Sequence, residues 1–397
     1  MATRSPGALE RLAIGLALVA MADRAVKLGL VARYFSRPRP DDPAVWPRVT
    51  LLQPVTRGVD ALQANIEART RLDYPVRVQH ILVCDADDGD SLAICRALSA
   101  AHPELDLRIV RVRGEGCGPA SKIAKLQAGL PYATGEVLCL MDDDVAPPAD
   151  GLRRLVAYLM QPGVGASFGL ACYASWSSLW SGLLSSYVNT YTLETFVTWA
   201  YLCGPIRVVG QMACYWRWPF IAAGGFDGLE GYLDDDYVLA RRLRMTGLRP
   251  LQTPVVYDIN DPTNSWRDYA AKFKRWIILP RQSMAPFLTP WQRVAAFLAT
   301  PATILLPSAL GVIALVTRRR IPVGALAATL GAFAVTHEVS RRCFLRRAMP
   351  RRRWPMLLYT VLVTPVHAAL TLLGGNEIEW RGQRMRVYRD GHYERIA

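Results

Sequence analysis

Three aspartates, Asp142, Asp143 and Asp144, directly follow an apolar run at residues 137–141. A strand that is apolar on both faces is typical of a buried sheet, and open α/β sheets bind ligands beyond the carboxyl ends of their strands. Carboxylates this close repel one another unless a cation lies among them, and Mg²⁺ and Mn²⁺ prefer oxygen ligands. Taken alone, the motif is as typical of a solvated turn or a helix N-cap as of a metal site.

Further charged clusters strengthen the functional interpretation. Residues 85–88 (Asp-Ala-Asp-Asp) follow a second apolar run, at residues 79–84, and residues 234–236 are again three aspartates. The latter open a helical pattern, where helix capping is the simpler interpretation. Residues 272–276 then bring three cations and a tryptophan together. Acids, a base, and cations beside an aromatic ring are the groups that chemistry on a phosphorylated donor requires.

Alternating strands and helices must position these groups. From residue 49 the pattern predicts an α/β fold with a mostly parallel sheet. The predicted strands cover residues 49–52, 79–83, 107–112, 137–141 and 165–172, and the clearest helices cover residues 61–68 and 91–101.

The order of the motifs resembles the D, D, D, (Q/R)xxRW signature of inverting glycosyltransferases with the nucleotide-sugar-binding, Rossmann-like GT-A fold. More narrowly, it resembles the ceramide glucosyltransferases. The similarity covers nearly the whole chain, at residues 51–55, 58–60, 72–75, 82–88, 121–126, 210–212, 223–225, 235–237, 275–276 and 380–381. Two departures are Lys272 at the first position of (Q/R)xxRW and Ala120-Ser121 where the family has Asn-Pro. Hopanoid glycosyltransferases are similar over the same stretches.

The resemblance implies a binding site for a UDP-sugar. Asp142 and Asp144 would carry Mg²⁺ or Mn²⁺ against the diphosphate. Asp87, or one of the acids beside it, would contact the uridine. Lys122 and Arg275 would offset the remaining phosphate charge.

The acceptor side is expected to depend on Asp236 as the general base. Repulsion from Asp234 and Asp235 should raise its proton affinity, which suits a base that works near neutral pH. Trp276 would form an apolar wall for donor or acceptor. An interfacial helix with snorkelling cations is the alternative for residues 272–276.

Composition indicates a membrane protein. The 397-residue chain has a net charge of +14, 51% hydrophobic residues and eight cysteines without a CxxC pair, which argues against a zinc site and a disulfide framework. The arginines decide between nucleic acid and an anionic lipid surface as the partner, because they flank apolar stretches at residues 318–320, 341–342, 346–347 and 351–353. We expect a membrane partner and no nucleic acid.

Four segments are predicted from this pattern: a membrane anchor at residues 1–35, a catalytic domain at 36–290, membrane helices at 291–373 and a basic tail at 374–397. In the anchor, Asp23 and Arg24 interrupt the apolar run, so we expect them to face a partner helix; an amphipathic interfacial helix is the alternative. The apolar stretch 176–209 is expected either to be core or to approach the bilayer.

The crossings after the catalytic domain are harder to assign. Runs 294–316 and 354–373 are long enough to span a membrane, and run 321–335 is short. The arginines of residues 341–353 should face the cytoplasm. Three crossings would put the tail outside, whereas the resemblance at residues 380–381 keeps it beside the catalytic domain.

The predicted function is transfer of a sugar, most simply glucose, from a UDP-sugar to the primary hydroxyl of ceramide with inversion to a β-glycoside. We expect the enzyme in a bacterial-type inner membrane, with its catalytic domain towards the cytoplasm. A hopanoid or another membrane lipid is the alternative acceptor. A processive polysaccharide synthase and a non-catalytic relative of the fold are further alternatives.

Overall fold

The computed structural model describes residues 6–58, 61–113, 119–260, 262–380 and 382–396. Its strands are β1 (Val49–Pro54), β2 (Gln79–Asp85), β3 (Asp106–Val112), β4 (Val137–Met141), β5 (Val145–Ala146), β6 (Val164–Tyr173), β7 (Met212–Trp216), β8 (Arg249–Ile259), β9 (Glu377–Trp380), β10 (Gln383–Val387) and β11 (Tyr393–Ile396).

The helices of the described residues lie before and between these strands. They are α1 (Ala8–Phe35), α2 (Leu62–Thr70), α3 (Gly89–Ala101), α4 (Pro119–Gly129), α5 (Gly151–Leu159), α6 (Leu179–Tyr187), α7 (Leu193–Leu202), α8 (Arg217–Ala222), α9 (Asp235–Met245), α10 (Trp266–Leu279), α11 (Pro290–Ala299), α12 (Pro301–Thr317), α13 (Arg320–Val339) and α14 (Pro355–Leu373). Short π-helical turns follow α6, α10 and α13, at Val188–Thr192, Pro280–Met284 and Ser340–Leu345. Single 3₁₀ turns lie at Leu130–Tyr132, Ala285–Phe287 and Arg351–Arg353.

The central sheet of the described residues has the order β3-β2-β1-β4-β7-β6-β8-β5. Strands β3, β2, β1 and β4 are mutually parallel, and β6 is parallel to β8, whereas β7 runs antiparallel to both its neighbours. The carboxyl ends of β2, β1 and β4 therefore meet at one edge. The predicted α/β fold with a mostly parallel sheet is confirmed.

All five predicted strands are present, and the strand at residues 137–141 has the predicted bounds. Strands β7 and β8 were not among the predicted strands. Strand β8 contains Pro250 and Pro254, which argue against a strand because proline cannot donate to the ladder. The structure accommodates Pro254 where the register with β6 shifts, between Phe168 and Leu170.

Both faces of the sheet are covered. Cys139 and Met141 of β4 point into one core cluster, beneath α5, α6 and α10, while Leu138 and Leu140 point into the other, beneath α4 and α9. This alternation follows from the period of two along a strand. Strand β4 is buried throughout its length, so Asp142 and its neighbours are held at the end of a rigid element.

Helix α1 continues through its charged residues. Arg24 is only 1% exposed and donates to Glu194 of α7, and it also contacts Asp23. Lys27 donates to the carbonyl oxygens of Leu298 and Ala299, at 3.0 Å each, where α11 ends. The expectation that the charges of this helix face a partner helix is therefore correct. The apolar stretch 176–209 forms α6 and α7, which are largely core.

The helices formed by two of the apolar runs differ from straight spans of the predicted lengths. Run 294–316 is bent by 51° between α11 and α12, so it forms a broken span or a re-entrant loop. Pro301 lies at the break and has no backbone N–H to continue the helix. Run 321–335, predicted to be short, belongs to a helical stretch of 26 residues, Arg320–Leu345, which is long and apolar enough to cross a membrane. Arg351–Leu373 is the other such stretch among the described residues.

The C-terminal tail folds back onto the α/β domain. Strands β9, β10 and β11 form an antiparallel sheet, and its Ile378, Met385 and Val387 pack against Leu233 and Ile278. Helix α14 before it contacts α6 and α10. Near its start, Arg353 donates to the carbonyl oxygen of Trp176, and just after its end, Lys274 donates to that of Gly374. Of the two positions left open for the tail, the structure has the one beside the catalytic domain.

Candidate active site

Lys122 joins two acidic clusters that are far apart in the sequence. It lies on α4, and its Nζ is 3.3 Å from Oδ1 of Asp142 and 3.4 Å from Oδ2 of Asp235. Burial works against the charged lysine, but the carboxylates of Asp142, Asp235 and Asp236 outweigh it and raise its pKa well above the ordinary value. Lys122 is therefore a fixed positive charge at the carboxyl edge of the sheet.

Asp236 lies beside this lysine in the first turn of α9. Its Oδ2 accepts the backbone N–H of Gly210 at 3.0 Å. Burial and then repulsion from Asp235 raise the pKa of Asp236 to about 7, against the opposing effects of Lys122, Arg207 and the Gly210 N–H. Near neutral pH, this carboxyl can therefore both accept and release a proton.

Gly210 fits closely against this carboxylate. A Cβ atom at residue 210 would lie 2.0 Å from Oδ1 of Asp236, a distance that no side chain tolerates. The residue has no positive φ that would demand glycine. A side chain at residue 210 would therefore have to displace the Asp236 carboxylate.

Asp234, the first acid of the same cluster, is bound by protein groups and has a structural role. Its Oδ1 accepts the backbone N–H of Tyr237 at 3.4 Å and Nη2 of Arg207 at 3.1 Å. The hydroxyl of Ser283 donates to its Oδ2 at 2.5 Å. The helix-capping interpretation therefore holds for Asp234, while Asp235 and Asp236 face Lys122.

The acids at residues 142–144 alternate in burial. Asp143 is 5% exposed and its carboxylate accepts the backbone N–H of Thr56, whereas Asp142 and Asp144 are half-buried. The part of the chain that the structure describes contains no group of three His, Cys, Asp or Glu side chains arranged to hold a metal. Two aspartates alone still fit Mg²⁺ or Mn²⁺ in chemistry, because both ions take phosphate oxygens and water as further ligands.

The acids at the end of β2 have different partners. Asp85 is buried and pairs with Nζ of Lys125 at 2.8 Å, and Asp88 caps α3. Asp87 is exposed and lies 2.8 Å from Nη2 of Arg57, which follows the neighbouring strand β1. Of these acids, Asp87 is therefore the one that a ligand at the sheet edge can reach.

Arg275 and Trp276 form a third group, on α10. The guanidinium of Arg275 stacks over the ring of Trp380 from the tail, 4.5 Å from the centroid. Trp276 packs edge-on against Tyr173 and nearly parallel to Tyr187, with centroids 5.7 and 6.3 Å away. The structure thus brings Lys122, Asp142 and Asp236 together, holds Arg275 against the tail, and packs Trp276 against Tyr173 and Tyr187.

Sequence reasoning gave no role to Arg69, Arg207 or Lys125. Arg69 is 1% exposed and donates to the carbonyl oxygens of Asp142 and Val145, so it fixes the loop after β4. Nothing in the sequence around Arg69 distinguishes it from a surface arginine. Motif positions 59–60 and Arg381 lie outside the described residues.

Comparison with known proteins agrees with this architecture. The model of glycosyl transferase family 21 matches residues 12–393. The chain is 27% identical over 139 residues to the ceramide glucosyltransferase of Candida albicans, a match that covers 32% of this chain and only 25% of that protein. Its fold is similar to that of the mannosyltransferase PcManGT from Pyrobaculum calidifontis, solved in complex with GDP-Man and Mn²⁺. The TM-score is 0.54 at 22% identity, and the alignment covers 92% of this chain and 99% of that one. The family model spans nearly the entire chain, and the protein belongs to glycosyl transferase family 21.

Proposed function

We propose that this glycosyltransferase transfers glucose from UDP-glucose to the primary hydroxyl of ceramide, with inversion, to form a β-glucosylceramide. The family match and the relative described as a ceramide glucosyltransferase support the acceptor. The observation that carries the reaction is the grouping of Asp235 and Asp236 around Lys122 beside Asp142, where burial and repulsion raise the pKa of Asp236 to about 7.

On the donor side, the chain must hold a diphosphate whose charge grows as the sugar leaves. Lys122 remains protonated because its pKa is raised, and it already contacts the acid at the end of β4. Arg275 would add a second cation, and Asp87 would contact the uridine. Asp142 and Asp144 would hold Mg²⁺ or Mn²⁺, which when bound would neutralise charge on the leaving diphosphate.

On the acceptor side, Asp236 would take the proton from the lipid hydroxyl. A carboxylate with a pKa near 7 is a stronger base than an ordinary aspartate and is still largely ionised slightly above neutral pH. The hydroxyl oxygen attacks the anomeric carbon as the bond to the diphosphate breaks on the opposite face, so the configuration inverts. Trp276 would supply an apolar wall.

We also propose that α12 and α13 form a membrane hairpin that returns the chain to the catalytic domain. The far turn is close to the start of α1, where Arg319 lies 3.4 Å from Glu10. The near end packs Leu345 against Val31 and Leu170, and Arg347 pairs with Asp258 of β8. The near end carries seven arginines, at residues 341–353, and the far turn carries three, at residues 318–320. This excess supports a position of the catalytic domain on the cytoplasmic face of a bacterial-type inner membrane.

The test uses the purified full-length chain in lipid nanodiscs. UDP-glucose, UDP-galactose and UDP-glucuronate would each be offered with ceramide, a hopanoid alcohol or diacylglycerol, and products identified by mass spectrometry. We expect glucosylceramide with a β anomeric configuration by NMR. Loss of activity with a chelator and recovery with Mg²⁺ or Mn²⁺ is the expected metal response.

Three outcomes would contradict the proposal. Glycosylation of the hopanoid but not of ceramide would reassign the acceptor. An α-linked product would remove the inverting mechanism. Full turnover after thorough chelation would remove the metal and leave Lys122 and Arg275 to stabilise the leaving group.

A further inference from the structure

A basic cleft lies away from the acidic group, beside the first helix of the C-terminal apolar segment. It has a volume of about 480 Å³ and lies between the turn after α10, helix α11 and the C-terminal sheet. Its polar lining consists of Arg281, Gln282, Arg293, Asn376 and Arg389. No carboxylate lines it among the described residues. Three cations from three separate elements therefore face one small space.

No acid within the described ranges neutralises the three arginines of the cleft. Arg281, Arg293 and Arg389 are exposed and form no ion pair there, whereas Arg384 and Arg386 of the same small sheet both pair with Glu377. Gln282, which is 4% exposed, lies beside these arginines in the lining of the cleft. The cleft can therefore bind an anion that accepts several hydrogen bonds from these arginines.

The position of the cleft indicates the source of that anion. Helix α11, which carries Arg293, exposes Trp291, Val294 and Phe297 by 55%, 48% and 50%, and α12 continues from it. A tryptophan and arginines next to exposed apolar side chains are typical of the headgroup level of a bilayer. We propose that the cleft binds the phosphate group of an anionic membrane phospholipid, a ligand distinct from both sugar donor and acceptor.

A lipid in the cleft would contact the segment that positions the proposed base. Gln282 is followed by Ser283, whose hydroxyl holds Asp234, the N-cap of α9. From the tail, Gly391 approaches the same serine closely, two residues after Arg389. The phosphate would therefore brace the tail sheet and the turn Pro280–Met284 against the helix that carries Asp236. Turnover should be higher in bilayers that contain anionic lipid.

The experiment compares the Arg281→Gln/Arg389→Gln variant with Arg96→Gln/Arg249→Gln. The control removes the same charge from two exposed arginines outside the cleft. Binding of a fluorescent phosphatidylglycerol to the detergent-solubilised full chain is measured, with phosphatidylcholine, inorganic phosphate and UDP as competitors. Turnover is then compared in nanodiscs of phosphatidylcholine with and without phosphatidylglycerol.

We expect the cleft variant to lose affinity for phosphatidylglycerol by at least about tenfold, because two charge-assisted hydrogen bonds are removed. The control should bind like the wild type, and only the cleft variant should lose the stimulation by anionic lipid. Thermal unfolding checks the fold, and the single variant Arg389→Gln replaces the double variant if that one is unstable.

Wild-type affinity in the cleft variant would overturn the proposal. Competition by inorganic phosphate as strong as by the lipid would make the cleft a free-anion site. Displacement by UDP would assign it to the donor. Each of these results can occur whether or not the acceptor is ceramide, so the test is independent of the proposed reaction.

Discussion

Two acidic clusters of this chain, at residues 85–88 and 234–236, look alike in sequence but have different surroundings. Each supplies a helix N-cap: Asp88 for α3 and Asp234 for α9. In the first cluster, Asp85 has a buried lysine of its own, Lys125. In the second, two acids share one lysine with a further acid from β4.

The difference shows what separates structural acids from candidate catalytic ones. A carboxylate with a cation of its own, such as Asp85, is held in a buried ion pair. A buried carboxylate crowded by another has a raised pKa, as for Asp236. The number of acids in a cluster is therefore a weaker indication of function than the number of acids that share one cation.

The largest effect should follow from Asp236→Asn. Turnover is expected to fall by roughly two to four orders of magnitude, the usual range for a lost general base. Affinity for the UDP-sugar should change little, because other groups hold the donor. Both quantities should be measured on one purified variant. Near-normal turnover would move the base to another residue, with Asp235 the next candidate.

Stability provides the control for this variant. The pKa of Asp236 is raised from 3.8 to about 7 in the folded protein. The free energy of unfolding therefore falls as the pH rises from about 4 to about 7, because the unfolded chain ionises first. Asp236→Asn should therefore be at least as stable as the wild type at pH 8. A large drop in melting temperature would instead make Asp236 a structural residue.

The two lysines of α4 should separate activity from stability. Lys122→Met is expected to lower turnover by about two orders of magnitude, the scale for one lost electrostatic contact to the transition state. Lys125→Met should instead cost about 3–5 kcal/mol of unfolding free energy, because it leaves Asp85 buried without a partner. Steady-state kinetics and denaturant unfolding of both variants test this. A loss of stability in Lys122→Met together with a loss of turnover alone in Lys125→Met would contradict the comparison.

Gly210→Ala should have a smaller effect on turnover. The added methyl group would displace the Asp236 carboxylate, and we expect roughly a tenfold loss with a stability cost of about 1–3 kcal/mol. Gly163→Ala is the control for stability. Its added Cβ meets nothing within 4 Å, but the residue has a φ of 72°, so this variant should lose stability through backbone strain and keep its turnover. Unchanged turnover in Gly210→Ala would mean that the exact position of Asp236 is unimportant.

The smallest effect is expected at the exposed pair of Arg57 and Asp87. Arg57→Gln should change the unfolding free energy by less than about 1 kcal/mol, because exposed ion pairs contribute little. A moderate rise in KM for the donor with unchanged kcat is the expected kinetic result. A fall in kcat would give this first cluster a direct part in the chemistry.

Local signals in the sequence predicted much of this molecule. Strand β4 and the acids after it follow from an apolar run and its charged end, and the buried charges of α1 follow from an interrupted hydrophobic run. Strand β8 and the tail sheet depend on pairings between segments that are distant in the sequence. In β8, Pro250 and Pro254 also argue locally against a strand. The contact of Lys122 with both Asp142 and Asp235 likewise joins three distant segments.

The most direct test of the central claim is the pH dependence of kcat in the wild type and in Asp235→Asn. We predict that wild-type kcat rises with pH through an ionisation near 7, because Asp236 must lose its proton to act as a base. In Asp235→Asn, this limb should move to lower pH, because the repulsion that raises the pKa is removed. A wild-type profile that is flat between about pH 5 and 9, or a limb that Asp235→Asn leaves in place, would contradict the account.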